Sequence, residues 1–506
     1  MKVIIDLKNA AFLYPSAEKR ALEEINLSVM EGEFLAVMGE NGAGKTTFCK
    51  LLNGIIPHLS GGNLYGNVTV DGERTDESSV PRLALKVGMV LDDPDVQFIT
   101  SSVRNEAAFG PENLLLPPEE IEERIRQALS VVGLEGFMER SPSTLSGGEK
   151  QRLAIAAALA MKSRILVLDE PLSRLDPEGK AEVMSVLNKL REKYKITVVM
   201  TAHTANSVLE FADRACILKN GRIAACDTAK KIFENHVLLK ENGIEPPGSV
   251  DINAVFEEMR GKESAEAAIT INNLCFDYAD TTKGKNGMNA ALGACIKNIN
   301  LTIEDNDFIA LIGRNGCGKT TLLKLITGLL RPVSGEIIVR GKNLKELSVS
   351  AISKEIGFVM QNPDNQLFTD SVFNEIAFAL KNAGLSKLEI SQRVKDALSV
   401  VELEDGGAFP HALSKADRTK TVVACVLAMG CKIIIFDEID VGQDYRGSIK
   451  IMNIAKELHS KGFTVIFVTH NMSLVYEYAH RLIKMEKGEI VMDMKKNKQN
   501  VRKITV

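Results

Sequence analysis

The chain has 506 residues, 45% hydrophobic and 25% charged, with a formal net charge of −4 and eight cysteines. At about 100–200 residues per domain this length calls for two or more domains, and the mild acidity leaves no electrostatic footprint for nucleic acid. The cysteines form no Cys-x-x-Cys and no Cys/His cluster, which argues against a zinc site and fits a reducing compartment. No apolar run approaches the roughly 20 residues that span a bilayer, and "MKVIIDLKNAAF" has no signal-peptide core, so a membrane part is expected from another chain.

In chain order, the first strong element is "FLAVMG" (34–39), an apolar run read as a buried strand entering a glycine turn. It opens G-x-x-x-x-G-K-T, Gly39–Thr46. Such glycines let the backbone wrap a phosphate with its N–H groups pointing inward, and the following helix adds its positive end. Lys45 reaches the β/γ-phosphates, and Thr46 offers a hydroxyl to Mg²⁺. "STLSGGEKQR" (143–152) then runs into the apolar "LAIAAALAM". "ILVLDEP" (165–171) reads as a strand ending in Asp169-Glu170. The aspartate suits Mg²⁺ through water, and the glutamate suits orienting or polarising an attacking water. "VVMTAH" ends a further strand on His203, read as a γ-phosphate contact.

"ENGIEPPGSVDINAVFEEMRGKESAEAA" (241–268) is polar and lacks a strand run. Residues 246–266 are expected to be a linker between domains 1–245 and 267–506. Beyond it the pattern returns. "FIALIG" leads into "GRNGCGKTT" with Lys319 and Thr320, "HALSKADRTK" (411–420) leads into "TVVACVLAM", "IIIFDEI" carries Asp437-Glu438, and "VIFVTH" ends on His470. A repeat of half the chain means tandem domains rather than a solenoid. Short apolar strands with helices between them indicate α/β domains built on parallel sheets. "ADTTKGKNGMNAALGA" (279–294) reads as a surface insertion, and "MKKNKQNVRKITV" as a solvated tail.

P-loop, "LSGGEKQR", "LVLDEP" and "TAH", in this order and twice over, resemble the nucleotide-binding domain of ABC (ATP-binding cassette) ATPases across nearly the whole chain. The resemblance implies two P-loop NTPase domains, each with a mostly parallel core sheet, a small antiparallel β part and a helical subdomain carrying the signature. It implies ATP and Mg²⁺ as ligands. Tyr14 and Tyr278 match the aromatic that stacks on adenine. Gly39, Glu40, Asn41, Gly42, Ala43, Gly44, Lys45, Thr46 and Thr47 form one phosphate cradle. Gly313, Arg314, Asn315, Gly316, Cys317, Gly318, Lys319, Thr320 and Thr321 form the other. Gln361 matches the Q-loop glutamine that ligates Mg²⁺ and faces a transmembrane partner, and Asp92 stands in its place in the first domain. Thr46, Asp169 and Asp92, and Thr320, Asp437 and Gln361, are thus the implied metal sets. Glu438, His470, Gln361, Glu170 and His203 are the implied catalytic groups, and Asp176 and Asp444 match the D-loop.

ABC domains pair head to tail, each ATP lying between one P-loop and the other domain's signature, and the two domains of this chain are expected to pair in this way. One implied site joins Lys319, Thr320, Gln361, Asp437, Glu438 and His470 to Ser146, Gly147, Gly148 and Glu149. The other joins Lys45, Thr46, Asp169, Glu170 and His203 to Ser414, Lys415, Ala416 and Asp417. That second signature has lost both glycines, where a side chain obstructs close approach to phosphate. Asp92 belongs to the same degenerate site. Hydrolysis is expected mainly at the Glu438 site. Neutral drift and a dedicated holding role predict similar sequences, and both stay open here.

"DPDVQFITSSVRNEAAFGPENLLLPPEEI" (93–121) and "NPDNQLFTDSVFNEIAFALKN" (362–382) resemble the ATPases of energy-coupling factor (ECF) transporters. This implies import of a vitamin or transition-metal ion with a transmembrane coupling subunit and a small membrane substrate-binding subunit, and a place at the cytoplasmic face of the cell membrane. Phe98 and Phe368 are expected on the docking surface. A fused sugar-importer ATPase is a rival reading that "AFGPENL" speaks against. A tandem ABC protein acting on ribosomes or DNA is another, disfavoured by the short linker and the poor second signature; no nucleic acid partner is expected.

Overall fold

The computed structural model describes residues 2–248, 252–258, 267–278 and 295–497. The expected insertion at 279–294 and residues 498–506 of the expected tail lie outside the described residues; Met494–Lys496, read as the start of that solvated tail, instead end a strand, with Met494 buried in the core. The chain divides into two compact units, Met1–Gly248 with Asp444–Arg446, and Ser249–Gln443 with Gly447–Val506.

In the first unit, β1 (Val3–Leu13), β2 (Leu22–Met30), β3 (Phe34–Met38), α1 (Lys45–Leu52), β4 (Asn63–Val70), β5 (Glu73–Arg74) and β6 (Val87–Val90) come first. Then follow α2 (Val103–Asn113), α3 (Pro118–Val132), α4 (Gly147–Ala160), β7 (Ile165–Leu168), α5 (Pro177–Tyr194), β8 (Thr197–Ala202), β9 (Arg214–Lys219) and β10 (Arg222–Thr228). A six-stranded sheet runs β10-β9-β3-β8-β7-β6, and a four-stranded sheet runs β2-β1-β4-β5. In the larger sheet only β10 is antiparallel to its neighbour; the smaller sheet is antiparallel throughout.

Alternation along β3 explains why it lies inside. Phe34, Ala36 and Met38 enter the core shared with the helices, whereas Leu35 and Val37 enter the core between the two sheets. Successive strand side chains point to opposite faces, and a strand covered on both faces reads as a continuous apolar run. Helices α2, α3 and α4 pack on one another and bury Val103, Leu129 and Leu153 in the first of these cores.

The second unit repeats the plan with β11 (Phe256–Glu258), β12 (Ala267–Phe276), β13 (Ile296–Glu304), β14 (Phe308–Gly313), α6 (Lys319–Ile326), β15 (Ser334–Val339), β16 (Lys342–Asn343) and β17 (Ile356–Val359). It continues with α7 (Val372–Asn382), α8 (Lys387–Val400), α9 (Lys415–Met429), β18 (Ile433–Phe436), β19 (Thr464–Val468), β20 (Arg481–Glu486) and β21 (Glu489–Lys496). Its sheets run β11-β21-β20-β14-β19-β18-β17 and β13-β12-β15-β16.

The segment read as a linker without strand requires a correction. Within 246–266, β11 pairs antiparallel with β21, Phe256 opposite Lys496, and Val255 and Phe256 are buried in the second unit's core. A three-residue strand is too short to show a period, and only the free edge of β21 makes "FEE" a strand.

Candidate active sites

Strand order places the chemistry. In each unit the P-loop strand lies beside the strand that ends in histidine, and that strand lies beside the one ending in Asp-Glu. Parallel register then brings Gly39, Asp169-Glu170 and His203 to one sheet end, and Gly313, Asp437-Glu438 and His470 likewise. In open α/β sheets, ligands bind at this carboxyl end.

The P-loop turn depends on glycine in each copy. Gly44 and Gly318 sit at φ 105° and 106°, and a Cβ there would stand 2.7 Å and 2.9 Å from the carbonyl oxygens of Ala21 and Cys295. The lysine after each is only 4% exposed. Lys45 Nζ donates to the Gly39 and Glu40 carbonyls, both at 3.0 Å, and Lys319 Nζ donates to Gly313 at 2.9 Å and Arg314 at 3.0 Å. Each ammonium also faces a glutamate, Lys45–Glu170 at 3.4 Å and Lys319–Glu438 at 3.7 Å. A buried ammonium held in a ring of backbone oxygens is poised for an anion, since each carbonyl bond is a weak substitute for phosphate.

Each Asp-Glu pair is split by its environment. Burial pushes the Asp437 carboxyl up to about 6, helped by the adjacent Glu438, against the bond from Thr320. Burial also raises Asp169, against hydrogen bonds from Thr46 and Thr201. Burial opposes ionisation of Glu170 too, but His203 and Lys45 outweigh it and bring the carboxyl to about 2. Glu438 is likewise lowered, burial being outweighed by His470 and Lys319. Neighbouring carboxyls pushed apart in this way mark acid–base and ligand assignments. Both glutamates hold left-handed backbone conformations, φ 48° at Glu170 and 49° at Glu438.

The two sites differ in what holds the glutamate. In the second unit Gln361 Nε2 donates to Glu438 Oε2 at 2.9 Å, and His470 Nε2 stands 3.0 Å from Asn315 Oδ1 and 3.5 Å from Glu438. In the first unit His203 Nε2 is 2.7 Å from Glu170 Oε1. The exposed Asp92, at the Gln361 position, adds negative charge that raises Asp169 further.

Mg²⁺ fits the donors present. Thr320 Oγ1 donates to Asp437 Oδ1 at 3.3 Å, and the raised Asp437 carboxyl is one that a cation would hold ionised. Thr46 and Asp169 provide the same pair in the first unit. Among the described residues no cluster of three His, Cys, Asp or Glu could hold a metal. Mg²⁺ takes one or two protein oxygens and completes its shell with phosphate and water, and each Thr–Asp pair offers two. When bound, it would neutralise charge on the β- and γ-phosphates.

The signature segments start helices in both units. Ser146 Oγ accepts from Glu149 N and Glu149 Oε2 accepts from Ser146 N at 2.7 Å; Ser414 Oγ accepts from Asp417 N at 3.2 Å. The cap thus survives the loss of the glycines. Tyr14 and Tyr278 hydroxyls lie 3.2 Å from Thr47 and Thr321 Oγ1, beside the P-loop helices.

The ABC transporter family model matches residues 22–173 and 296–440. The chain belongs to the ABC transporter ATPase family. A Caldanaerobacter subterraneus subsp. tengcongensis protein is 37% identical over 96% of this chain and 90% of its own length. A Methanosarcina mazei protein is 36% identical over 97% and 88%. The latter bears the name "Putative ABC transporter ATP-binding protein". Among solved structures, one described as cbiO1 from Clostridium perfringens, part of the ABC transporter complex cbiONQ, is 31% identical and covers 48% of this chain and 94% of that one, with TM-score 0.43. The ATP-binding cassette MJ0796 bound to ADP and Pi is 26% identical over 45% and 98%, with TM-score 0.40. The family match and these relatives make the protein an ATP-binding and ATP-hydrolysing ABC transporter subunit with two ATPase domains. No described helix is long and apolar enough to cross a membrane.

The segments after the Q-loop positions fold as matched knots in the two ABC domains. Gln97 accepts from Leu91 N at 2.9 Å and donates to Met89 O at 3.0 Å; Gln366 does the same with Met360 N and Phe358 O at 2.8 and 2.9 Å. Buried Glu106 accepts from Ile99 N and Thr100 N, and buried Glu375 from Phe368 N and Thr369 N. Here the expectation for Phe98 is corrected. Phe98 packs against the helical core, as its counterpart Leu367 does, while Ile99 and Phe368 are 66% and 63% exposed. Phe98 and Phe368 are out of register by one residue, and one residue decides which face a side chain takes. Sequence reading also missed Thr201, which donates to Asp169 Oδ1 at 2.8 Å and accepts from Glu170 N at 2.7 Å, and the Asp440–Thr469 pair. No motif marks a threonine inside an apolar strand.

Proposed function

We propose that this ABC ATPase powers an ECF-type importer of a vitamin or transition-metal ion at the cytoplasmic face of the membrane, with a transmembrane coupling subunit and a small membrane substrate-binding subunit. The duplicated knot carries the reading. Each ABC domain presents an apolar side chain, Ile99 or Phe368, at a turn fixed by a buried glutamate. Phe368 meets the exposed Phe378 edge-to-face at 4.8 Å, with Phe373 also exposed. Exposed aromatics on a rigid turn suit a partner helix. The sequence around both turns is the part that resembles ECF ATPases.

In the same reading Lys45, Lys319 and the P-loop backbones bind the phosphates, Thr46, Asp169, Thr320, Asp437 and Gln361 serve Mg²⁺, and Tyr14 and Tyr278 pack on adenine. Glu438 with His470 is the principal hydrolytic pair. Glu170 with His203 forms the degenerate site, which mainly holds ATP. Affinity isolation of the full chain from detergent-solubilised membranes tests the transporter class. Recovery of one coupling subunit and a small binding subunit is expected; recovery of a pair of related permeases would assign the chain to another importer class.

A further inference from the structure

We propose that Lys415 and Asp440 are positioning residues for the Glu438 site, acting through the 439–443 turn on His470. The inference rests on the reading of Glu438 as the principal hydrolytic carboxylate. Lys415 Nζ donates to the Val441 carbonyl at 2.6 Å. Gly442 follows at φ +68°, and a Cβ there would lie 2.8 Å from that same Nζ. The ammonium reaches the turn because residue 442 has no side chain. The equivalent residues in the first unit are Gly147 and Arg174, and Arg174 instead pairs with Asp93 at 2.6 Å. Of the two signature glycines lost, the one at the Lys415 position is matched by a glycine gained at 442, in the turn that Lys415 contacts. Drift at a redundant site does not predict two matched changes.

The turn is held at a second point. Buried Gln443 donates to Thr419 Oγ1 at 3.4 Å, and that hydroxyl donates to the Lys415 carbonyl at 3.0 Å. Fixed from this side, the turn presents Asp440 to the strand that leads to the catalytic histidine. Thr469 Oγ1 donates to Asp440 Oδ2 at 2.7 Å and accepts from Asn471 N at 2.9 Å. Among the described residues Asp440 Oδ1 is buried without a hydrogen-bond partner, so the Thr469 hydroxyl on Oδ2 is the side-chain bond that holds this carboxylate. Thr469 immediately precedes His470, whose Nε2 stands 3.0 Å from Asn315 Oδ1 and 3.5 Å from Glu438 Oε1. In the first unit buried Leu172 and Ala202 occupy the Asp440 and Thr469 positions, and the histidine closes on its glutamate at 2.7 Å. The tether accompanies the longer histidine–glutamate separation, 3.5 Å, and is absent where that separation is 2.7 Å.

The test measures steady-state ATP hydrolysis and ATP affinity on the full chain in its membrane complex. Thr469→Val keeps shape and removes the hydroxyl; Lys415→Met keeps length and removes the ammonium. Because a misplacement of about 1 Å can cost on the order of 10²-fold, each variant is expected to lower kcat about tenfold or more. KM for ATP and the melting temperature should stay near wild type. Thr469→Ser should restore turnover, and the double variant should be no slower than the slower single one. Wild-type kcat in Thr469→Val or in Lys415→Met, or multiplied losses in the double variant, would overturn the proposal. If Thr469→Val does not fold, Lys415→Met decides by the same kcat criterion. A parallel Glu438→Gln variant separates the two readings. If it remains active, the assignment of the site fails. If it is inactive while Thr469→Val is unimpaired, only the tether fails.

Discussion

Replacing each glutamate in turn by glutamine is the sharpest measurement on this chain. The change keeps size and removes the charge that would orient an attacking water. In the second unit it takes the charge from the acceptor of the Gln361 bond, 2.9 Å long, and leaves Lys319, 3.7 Å away, without its carboxylate. Removing one preorganised group costs on the order of 10²–10³ in rate, so Glu438→Gln is expected to leave about 1% of turnover or less. Glu170 is bound by His203 at 2.7 Å and Lys45 at 3.4 Å, and its carboxyl stands at about 2. At ~1.4 kcal/mol per pKa unit, accepting a proton there is harder than for a free glutamate by about 3 kcal/mol. It also has Asp92 where a glutamine would assist it. Glu170→Gln is therefore expected to leave more than about half of turnover. Phosphate release by the full chain in its complex, at saturating ATP, reads both numbers. Equal losses would refute the argument from unequal sites.

Asp92→Gln, in a Glu438→Gln background, should raise residual hydrolysis, since it removes a negative charge beside Asp169; single-turnover assays check this. Asp437 has a carboxyl raised from 3.8 to about 6. The native state holds that proton more tightly than the unfolded chain, so nucleotide-free stability is fully present below about pH 4 and is lost as pH rises through about 6. Asp437→Asn should flatten this fall and raise the melting temperature at pH 7, while abolishing the benefit of Mg²⁺ with ATP. Ile99→Glu with Phe368→Glu should weaken assembly with the membrane partner and leave ATP affinity unchanged, whereas Phe98→Glu should destabilise the first unit, because its ring packs on the core; co-isolation and melting curves distinguish the two.

What the sequence determined by itself lies in contiguous patterns. The glycine spacing of the P-loops, the apolar strands ending in Asp-Glu or His, and the half-chain repeat each code a local backbone shape next to a reactive side chain. Family membership and the α/β architecture follow from those patterns. The lesion at Lys415 and the departure at Asp92 were also legible, as residues out of pattern. Tertiary structure decided everything that depends on residues far apart. Gln361 meets Glu438 across 77 positions, and Thr469 meets Asp440 across 29. The three-residue strand at Phe256 exists only because β21 offers it an edge. Phe98 and Ile99 are adjacent and both apolar, and the Glu106 knot chooses which one faces water. Hydrophobicity states that a side chain prefers burial, but the turn's hydrogen bonds fix which side chain obtains it.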